Sequence, residues 1–388
     1  MKQAIATELH TWLRAREQEM ADLLVRLASA ETPSTVPDAH GPALDMLTGE
    51  LERIAFRVRR VPGARTAGAL YARPAARLRG APFQLLIGHV DTVWPLGSVD
   101  RLGVAADNGV VRGPGVFDMK GGLVEIVFAL RVLAEHGLEP EVTPVVVVNT
   151  DEEIGSVESR PLLERLSRCA SRAYVLEPAY GPSGRLKTAR KSAGRFEVVV
   201  RGRAAHAGVN PEQGVSAILE LSHQIQRLFA LNDAQRGITV NVGTIDGGLR
   251  PNVIAPEARA GVDVRVPTLE DARAVERALG GLTPVGEGLT VEIEGRFGRL
   301  PLEPTPRNQA LWHAARTAGE ELGLDLEEAA VGGASDGNIT SLYTATLDGL
   351  GPIGDGAHAP EEHVLLASLP ERAALLALLI LLPEEVEP

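Results

Sequence analysis

From residue 83 onward, short apolar runs alternate with longer stretches of helical period. Residues 83–88, 145–149 and 173–176 are apolar enough throughout to predict strands buried on both faces, whereas 123–135 and 161–166 carry helical spacing. Strand, helix, strand in repetition is the grammar of an α/β fold with a mostly parallel sheet. Ligands collect at the carboxyl ends of such strands, and polar residues follow three of these runs directly: His89, then Asp151 to Glu153, then Glu177.

The pattern changes near Lys191. Residues 194–202 alternate, with Phe196, Val198 and Val200 set against Glu197 and Arg201, which predicts a strand with one wet face. A helix over 215–229, strands at 238–245 and 258–266, a helix over 269–279 and a strand at 289–294 complete the order βαββαβ, a two-layer sandwich. Helix 308–319, strand 345–347 and a closing helix to 382, capped by Ser368 and opened by Pro370, return to the first texture. One domain is therefore expected inside another: 191–298 inserted between 1–190 and 299–388.

Composition narrows the function classes. The 388 residues are 44% hydrophobic and 23% charged, as in a folded globular chain of two or three units. Lys and Arg number 39 against 51 Asp and Glu, a net charge of −12 with no basic block to offset it, so nucleic acid is not an expected partner. The longest apolar run, 373–382, falls well short of the roughly 20 residues a membrane helix needs, so no membrane partner is expected either. Lys2 and Arg14 are interspersed with Glu8, Glu17 and Glu19 without an apolar leader core, which makes a cytoplasmic enzyme the expectation. Cys169 is the only cysteine, so a metal site in this chain must use His and carboxylates.

Candidate ligands follow the strands. In Gly88-His89-Val90-Asp91-Thr92, residues two apart share a face, so Asp91 can bond one nitrogen of His89 and leave the other for a metal; taken alone, such a pair is more often a surface hydrogen bond. The turn 113–122 projects Asp118 among glycines that match neither dinucleotide nor Walker spacing, and Asp118 would also serve as a helix cap. Asp151, Glu152 and Glu153 end a buried strand, where adjacent like charges repel unless a cation neutralises them; a solvated acidic loop is the bland alternative. Glu177 ends another strand, and His358 sits in a glycine-flanked turn before the closing helix. His89, Asp118, Glu152, Glu153, Glu177 and His358 together offer two imidazoles and four carboxylates. That set suffices for two zinc ions sharing a carboxylate, with one carboxylate left over to shuttle a proton to a leaving amine, which is the chemistry of amide hydrolysis.

At these residues the chain resembles the co-catalytic zinc metallopeptidases that include acetylornithine deacetylase and succinyl-diaminopimelate desuccinylase. The likeness runs in order from about Leu24 to the C-terminus, and its nearest flavour is the bacterial glutamate carboxypeptidase branch, on the strength of 149–156 and of 332–336. The resemblance implies that His89 and Glu177 bind one zinc, that Glu153 and His358 bind the other, with cobalt able to substitute, and that Asp118 bridges them. Glu152 is then the general acid and base, Asp91 orients His89, and a cis peptide follows Asp118. The inserted segment is similar to the family's lid and dimerisation domain, implying a homodimer. His206 and Asn252 then stand where the family stabilises the oxyanion across that dimer, and Arg265 where it grips the substrate carboxylate. Arg185 falls where the glutamate carboxypeptidase branch has a lysine near the substrate. By themselves, His206 and Asn252 would pass for loop residues, and Arg265 for a partner of Asp263.

The implied activity is hydrolysis of an N-acyl amino acid or short peptide with a free carboxylate, carboxyl-terminal glutamate among the candidates. An aminopeptidase or a deacetylase of acylated amino acids is the alternative within the class, and a metal-free binding protein of the same fold the alternative outside it. Glycoside hydrolysis by a pair such as Asp91 and Glu152 would leave both histidines and the lid unexplained.

Overall fold

The apolar runs form the centre of a six-stranded sheet. Its first five strands in the chain are β1 (Phe56–Val61), β2 (Ala69–Pro74), β3 (Phe83–His89), β4 (Thr143–Asn149) and β5 (Arg172–Val175); the spatial order is β1-β2-β4-β3-β5, closed by Ala345–Leu347. β3 is parallel to both β4 and β5, and Ala345–Leu347 is parallel to β5, while β1 and β2 form an antiparallel edge. The computed structural model describes residues 2–78 and 80–385, so the outer limits expected at 1 and 388 lie outside the described residues.

Register explains why the polar motifs converge. His89 pairs with Asn149 across β3 and β4, Ile87 pairs with Val175 across β3 and β5, and the Leu176 N–H donates to the Ile87 carbonyl at 3.0 Å. The residues after His89, Asn149 and Val175 therefore emerge side by side at one end of the sheet. Helix α1 (Gly121–Glu135) is buried along nearly its whole length and joins the closing helix Ser368–Ile380 in one hydrophobic core. Its start lies so close to the sheet that a Cβ on Gly122 would come within 2.0 Å of the Leu176 carbonyl oxygen. Glycine there lets the helix that follows Asp118 meet the strand end that precedes Glu177.

The chain divides into two compact units: Met1–Thr188 with Pro304–Ala330 and Ser335–Pro388, and Ala189–Glu303 with Val331–Ala334. The smaller unit contains β6 (Ala193–Arg201), α2 (Ala217–Phe229), β7 (Thr239–Gly247), β8 (Glu257–Arg265), α3 (Leu269–Gly280) and β9 (Thr290–Arg299). Its sheet is antiparallel in the order β7-β8-β6-β9. Phe196, Val198 and Val200 face a core shared with Leu221 and Leu228 of α2 and with Val275 and Leu279 of α3.

Element ends depart from the sequence pattern in several places, among them the closing helix, which ends at Ile380 rather than 382. α2 begins at Ala217 rather than 215 because the Ser216 hydroxyl caps it, accepting the Leu219 N–H at 3.2 Å. β9 runs past 294 to Arg299: the ladder against β6 continues through Phe297 and a bulge, although Gly295 and Gly298 interrupt the apolar alternation of the sequence. Ser368 does not cap the closing helix; Ala367 occupies the cap position. The Ser368 hydroxyl is instead drawn to neighbouring backbone, donating to the Leu365 carbonyl at 2.7 Å and accepting the Ile353 N–H at 3.0 Å. Among the described residues, no helix is long and apolar enough to cross a membrane.

Candidate metal centre

At the end of β3, the His89 Nδ1 donates to the Asp91 backbone carbonyl at 3.0 Å. Because a carbonyl only accepts, this bond places the proton on Nδ1 and leaves the Nε2 lone pair of the neutral ring free for a metal. Nε2 lies 3.3 Å from Asp118 Oδ1 and 3.6 Å from Glu177 Oε1, in an environment that leaves the ring 1% exposed. The orienting bond thus comes from the main chain of Asp91, with its carboxylate 3.4 Å from Nδ1. That carboxylate has further work: it accepts the Ser34 hydroxyl at 2.7 Å and the backbone N–H groups of Glu152 at 3.2 Å and Glu153 at 3.1 Å.

Asp118 stands between the two imidazoles. Its other oxygen, Oδ2, is 3.4 Å from His358 Nε2, which also lies 3.2 Å from Glu153 Oε2. Asp118 does not cap α1; the cap position is Lys120, and the Asp118–Met119 peptide is cis. His358 holds a left-handed backbone at φ +62°, an uncommon conformation for a non-glycine residue and one that clusters at functional sites. Glu152, nearly buried, brings a carboxylate oxygen within 4.8 Å of ligand atoms of His89 and Glu177.

The electrostatics describe a site built for positive charge. Burial opposes a charge on His89, yet the carboxylates of Asp118, Asp91 and Glu177 hold its pKa well above the usual value. Asp118 and Glu153 lift His358 to about 10. Burial pushes Asp118 up, but His358 and His89 hold it far below the ordinary carboxylate range. Burial also raises Glu153, with the Asp118 charge adding to it and His358 opposing. A divalent cation fits this set: buried His89 Nε2 and Asp118 Oδ1 face each other with no hydrogen-bond partner among the described residues, and each is a metal-donor atom.

With this geometry in place, comparison with known proteins is decisive. The description of peptidase family M20/M25/M40 matches residues 85–382. The chain belongs to this family. Carboxypeptidase G2 of Pseudomonas sp. (strain RS-16) is 28% identical over 369 residues, covering 92% of this chain and 88% of that protein. Aminopeptidase PepT from Bacillus cereus ATCC 10987 shares the fold with a TM-score of 0.78 at 22% identity, covering 94% and 98% of the two chains. Bacillus subtilis YXEP, described as a dinuclear metal binding peptidase of the M20 family, superposes with a TM-score of 0.72 at 18% identity, covering 95% and 98%. This M20 chain is accordingly a metallohydrolase enzyme with a mixed α/β catalytic fold.

The remaining candidates divide between the units. Arg185 sits on the turn that follows Glu177, its guanidinium 4.8 Å over the Tyr180 ring. In the smaller unit of the M20 chain, exposed His206 accepts the Gly208 N–H on Nδ1 at 3.1 Å, which leaves the proton of the neutral ring on Nε2. His206 bridges to Val253, and the Ala207 N–H donates to the Asn252 carbonyl at 3.1 Å, so the two loops lie side by side. Arg265 is engaged by Asp263 through two bonds of 2.8 and 3.0 Å.

Several supporting contacts are not visible in the sequence motifs. Asp336 accepts Asn149 Nδ2 at 2.6 Å and the Ser156 hydroxyl at 2.5 Å, bracketing the acidic turn, and Ser34 reaches Asp91 from 57 residues away. Glu362 holds the loop of Asp118 through its backbone. The one local signal was a carboxylate four residues past His358, too common a spacing to stand out.

Proposed function

We propose that this chain is a dinuclear zinc hydrolase that cleaves the amide bond of an N-acyl amino acid or short peptide bearing a free carboxylate, carboxyl-terminal glutamate included. The observation that carries the reading is Asp118, whose two oxygens address two different imidazoles at 3.3 and 3.4 Å. His89 and Glu177 would hold one ion, Glu153 and His358 the other, and Asp118 both. The all-N,O donor set suits zinc, with cobalt able to replace it. Such ions supply Lewis acidity to the scissile carbonyl and make water acidic enough to attack near neutral pH.

The protein's own groups do the rest. Glu152 accepts a proton from the attacking water and returns it to the departing amine. Asp91 fixes the His89 ring and the Glu152–Glu153 backbone from one position. Across the dimer, His206, through its Nε2–H, donates to the developing oxyanion with Asn252 helping. Arg265 grips the substrate carboxylate through its planar fork, exchanging it from Asp263 to the ligand, and Arg185 takes the place of a lysine near the substrate. The larger unit is the catalytic domain and the smaller the lid and dimerisation domain of a cytoplasmic homodimer.

Assay of a panel of N-acyl amino acids and dipeptides after zinc or cobalt loading tests the reading, glutamate against neutral residues at the carboxyl terminus. Hydrolysis of a member with a free carboxylate, and its loss on amidation of that carboxylate, is expected. Equal cleavage of the amidated compound, or preference for a free amine alone, would contradict it in favour of an aminopeptidase.

A further inference from the structure

Glu362 lies four residues past His358 and is 2% exposed. Its carboxylate collects four N–H donors. Oε1 accepts from the backbone of Phe117 at 2.9 Å and of Asp118 at 3.1 Å; Oε2 accepts from the Gly115 backbone at 2.9 Å and from the Trp94 indole at 3.0 Å. A carboxylate has about four lone-pair sites, so this one is filled. The donors belong to two separate loops. Trp94 follows His89 and Asp91, whereas Gly115, Phe117 and Asp118 form the glycine-laden turn.

Glu362 itself is on the third segment, the one that carries His358. Its backbone reinforces the connection: the Gly113 N–H donates to the Glu362 carbonyl at 3.2 Å, and His363 pairs with Arg112 in a short ladder. One buried side chain therefore ties together the loops bearing His89, Asp118 and His358, without itself offering an oxygen to the cluster.

We propose that Glu362 is a positioning residue for the metal centre, setting the Asp118 carboxylate relative to both imidazoles by clamping the backbone beside it. The inference rests on the reading of His89, Asp118 and His358 as metal ligands. It assigns to the charge of Glu362, and not only to its bulk, the task of holding the bridging ligand in place. Glutamine has the same shape but one acceptor oxygen, so its amide would meet two N–H donors head-on whichever way it turned.

The test uses full-length protein, titrated with zinc against a competing chelator and with cobalt by visible absorption. Glu362→Gln is expected to weaken metal binding about 10- to 100-fold, the range for lost outer-shell support, and to alter the cobalt spectrum, which reports ligand geometry rather than overall stability. Trp94→Phe removes one donor and keeps the ring; a folded Trp94→Phe protein should show a smaller loss and a smaller spectral change in the same sense. Wild-type protein that takes up no metal would overturn the ligand assignment and this inference with it. Wild-type protein that binds two ions, alongside variants that bind them as tightly with unaltered spectra, would overturn the role of Glu362 alone. Should Glu362→Gln fail to fold, Trp94→Phe decides by the same two readouts.

Discussion

The carboxylate of Asp91 accepts the backbone N–H of Glu153 at 3.1 Å, while the same residue's main-chain carbonyl accepts the His89 ring proton at 3.0 Å. One residue thereby sets the orientation of candidate ligands from two different strand ends. Asp91→Ala keeps the main-chain bond to His89 but removes the carboxylate that holds the Glu152 and Glu153 backbone and lies 3.4 Å from His89 Nδ1, so it is expected to lower zinc affinity about 10- to 100-fold, measured by chelator competition. Unchanged affinity would mean that the carboxylate merely fills space.

Glu152 shares that anchor but has a different assignment. Substitution by glutamine retains size and leaves His89, Asp118, Glu153, Glu177 and His358 in place. Turnover should fall about 10²- to 10⁴-fold while two metal ions remain bound, the scale of a lost general acid–base group. Full turnover in a metal-replete Glu152→Gln protein would exclude Glu152 as the proton shuttle.

His206→Ala separates binding from chemistry in another way. Loss of an oxyanion donor is expected to reduce kcat about 10²- to 10³-fold with metal content unchanged. Loss of metal from this variant would refute the assigned role.

The parts of this site legible in the sequence are those that follow from strand grammar. Apolar runs such as 145–149 announce buried strands, and a buried strand end makes His89, the acidic turn and Glu177 conspicuous. Spacing could not say whether Glu152 or Glu153 faces His358; the turn that brings Glu153 Oε2 to 3.2 Å does. Nor could it find Ser34 or Glu362, whose bonds to Asp91 and Trp94 span 57 and 268 residues, or the contact of Asp336 with Asn149, 187 residues away. Such contacts depend on how loops close over the sheet, a tertiary property that leaves no local period. Ser368 illustrates the converse: a residue with cap chemistry is diverted by a competing backbone carbonyl nearby.

A pH prediction comes from Glu158, beyond the acidic turn. Its carboxylate accepts the Thr66 hydroxyl at 2.8 Å and the N–H groups of Ala64, Arg65 and Thr66 at 3.1, 2.9 and 3.0 Å. The Thr66 hydroxyl bond, with these backbone bonds, holds its pKa below the usual value of 4.5. A folded-state pKa below the unfolded one gives stability that is present above about 4.5 and lost as pH falls through the folded value. Thermal melting of wild type and Glu158→Gln should therefore differ at pH 6 and converge toward pH 3. A constant gap across that range would contradict the assignment.

The most direct test of the central claim is metal stoichiometry in the purified, zinc-loaded chain, measured by elemental analysis alongside Asp118→Ala. Two ions per wild-type chain, with affinity at both positions reduced when Asp118 is removed, is the predicted result. A chain that retains at most one ion, or an Asp118→Ala protein that holds two as tightly as wild type, would contradict it.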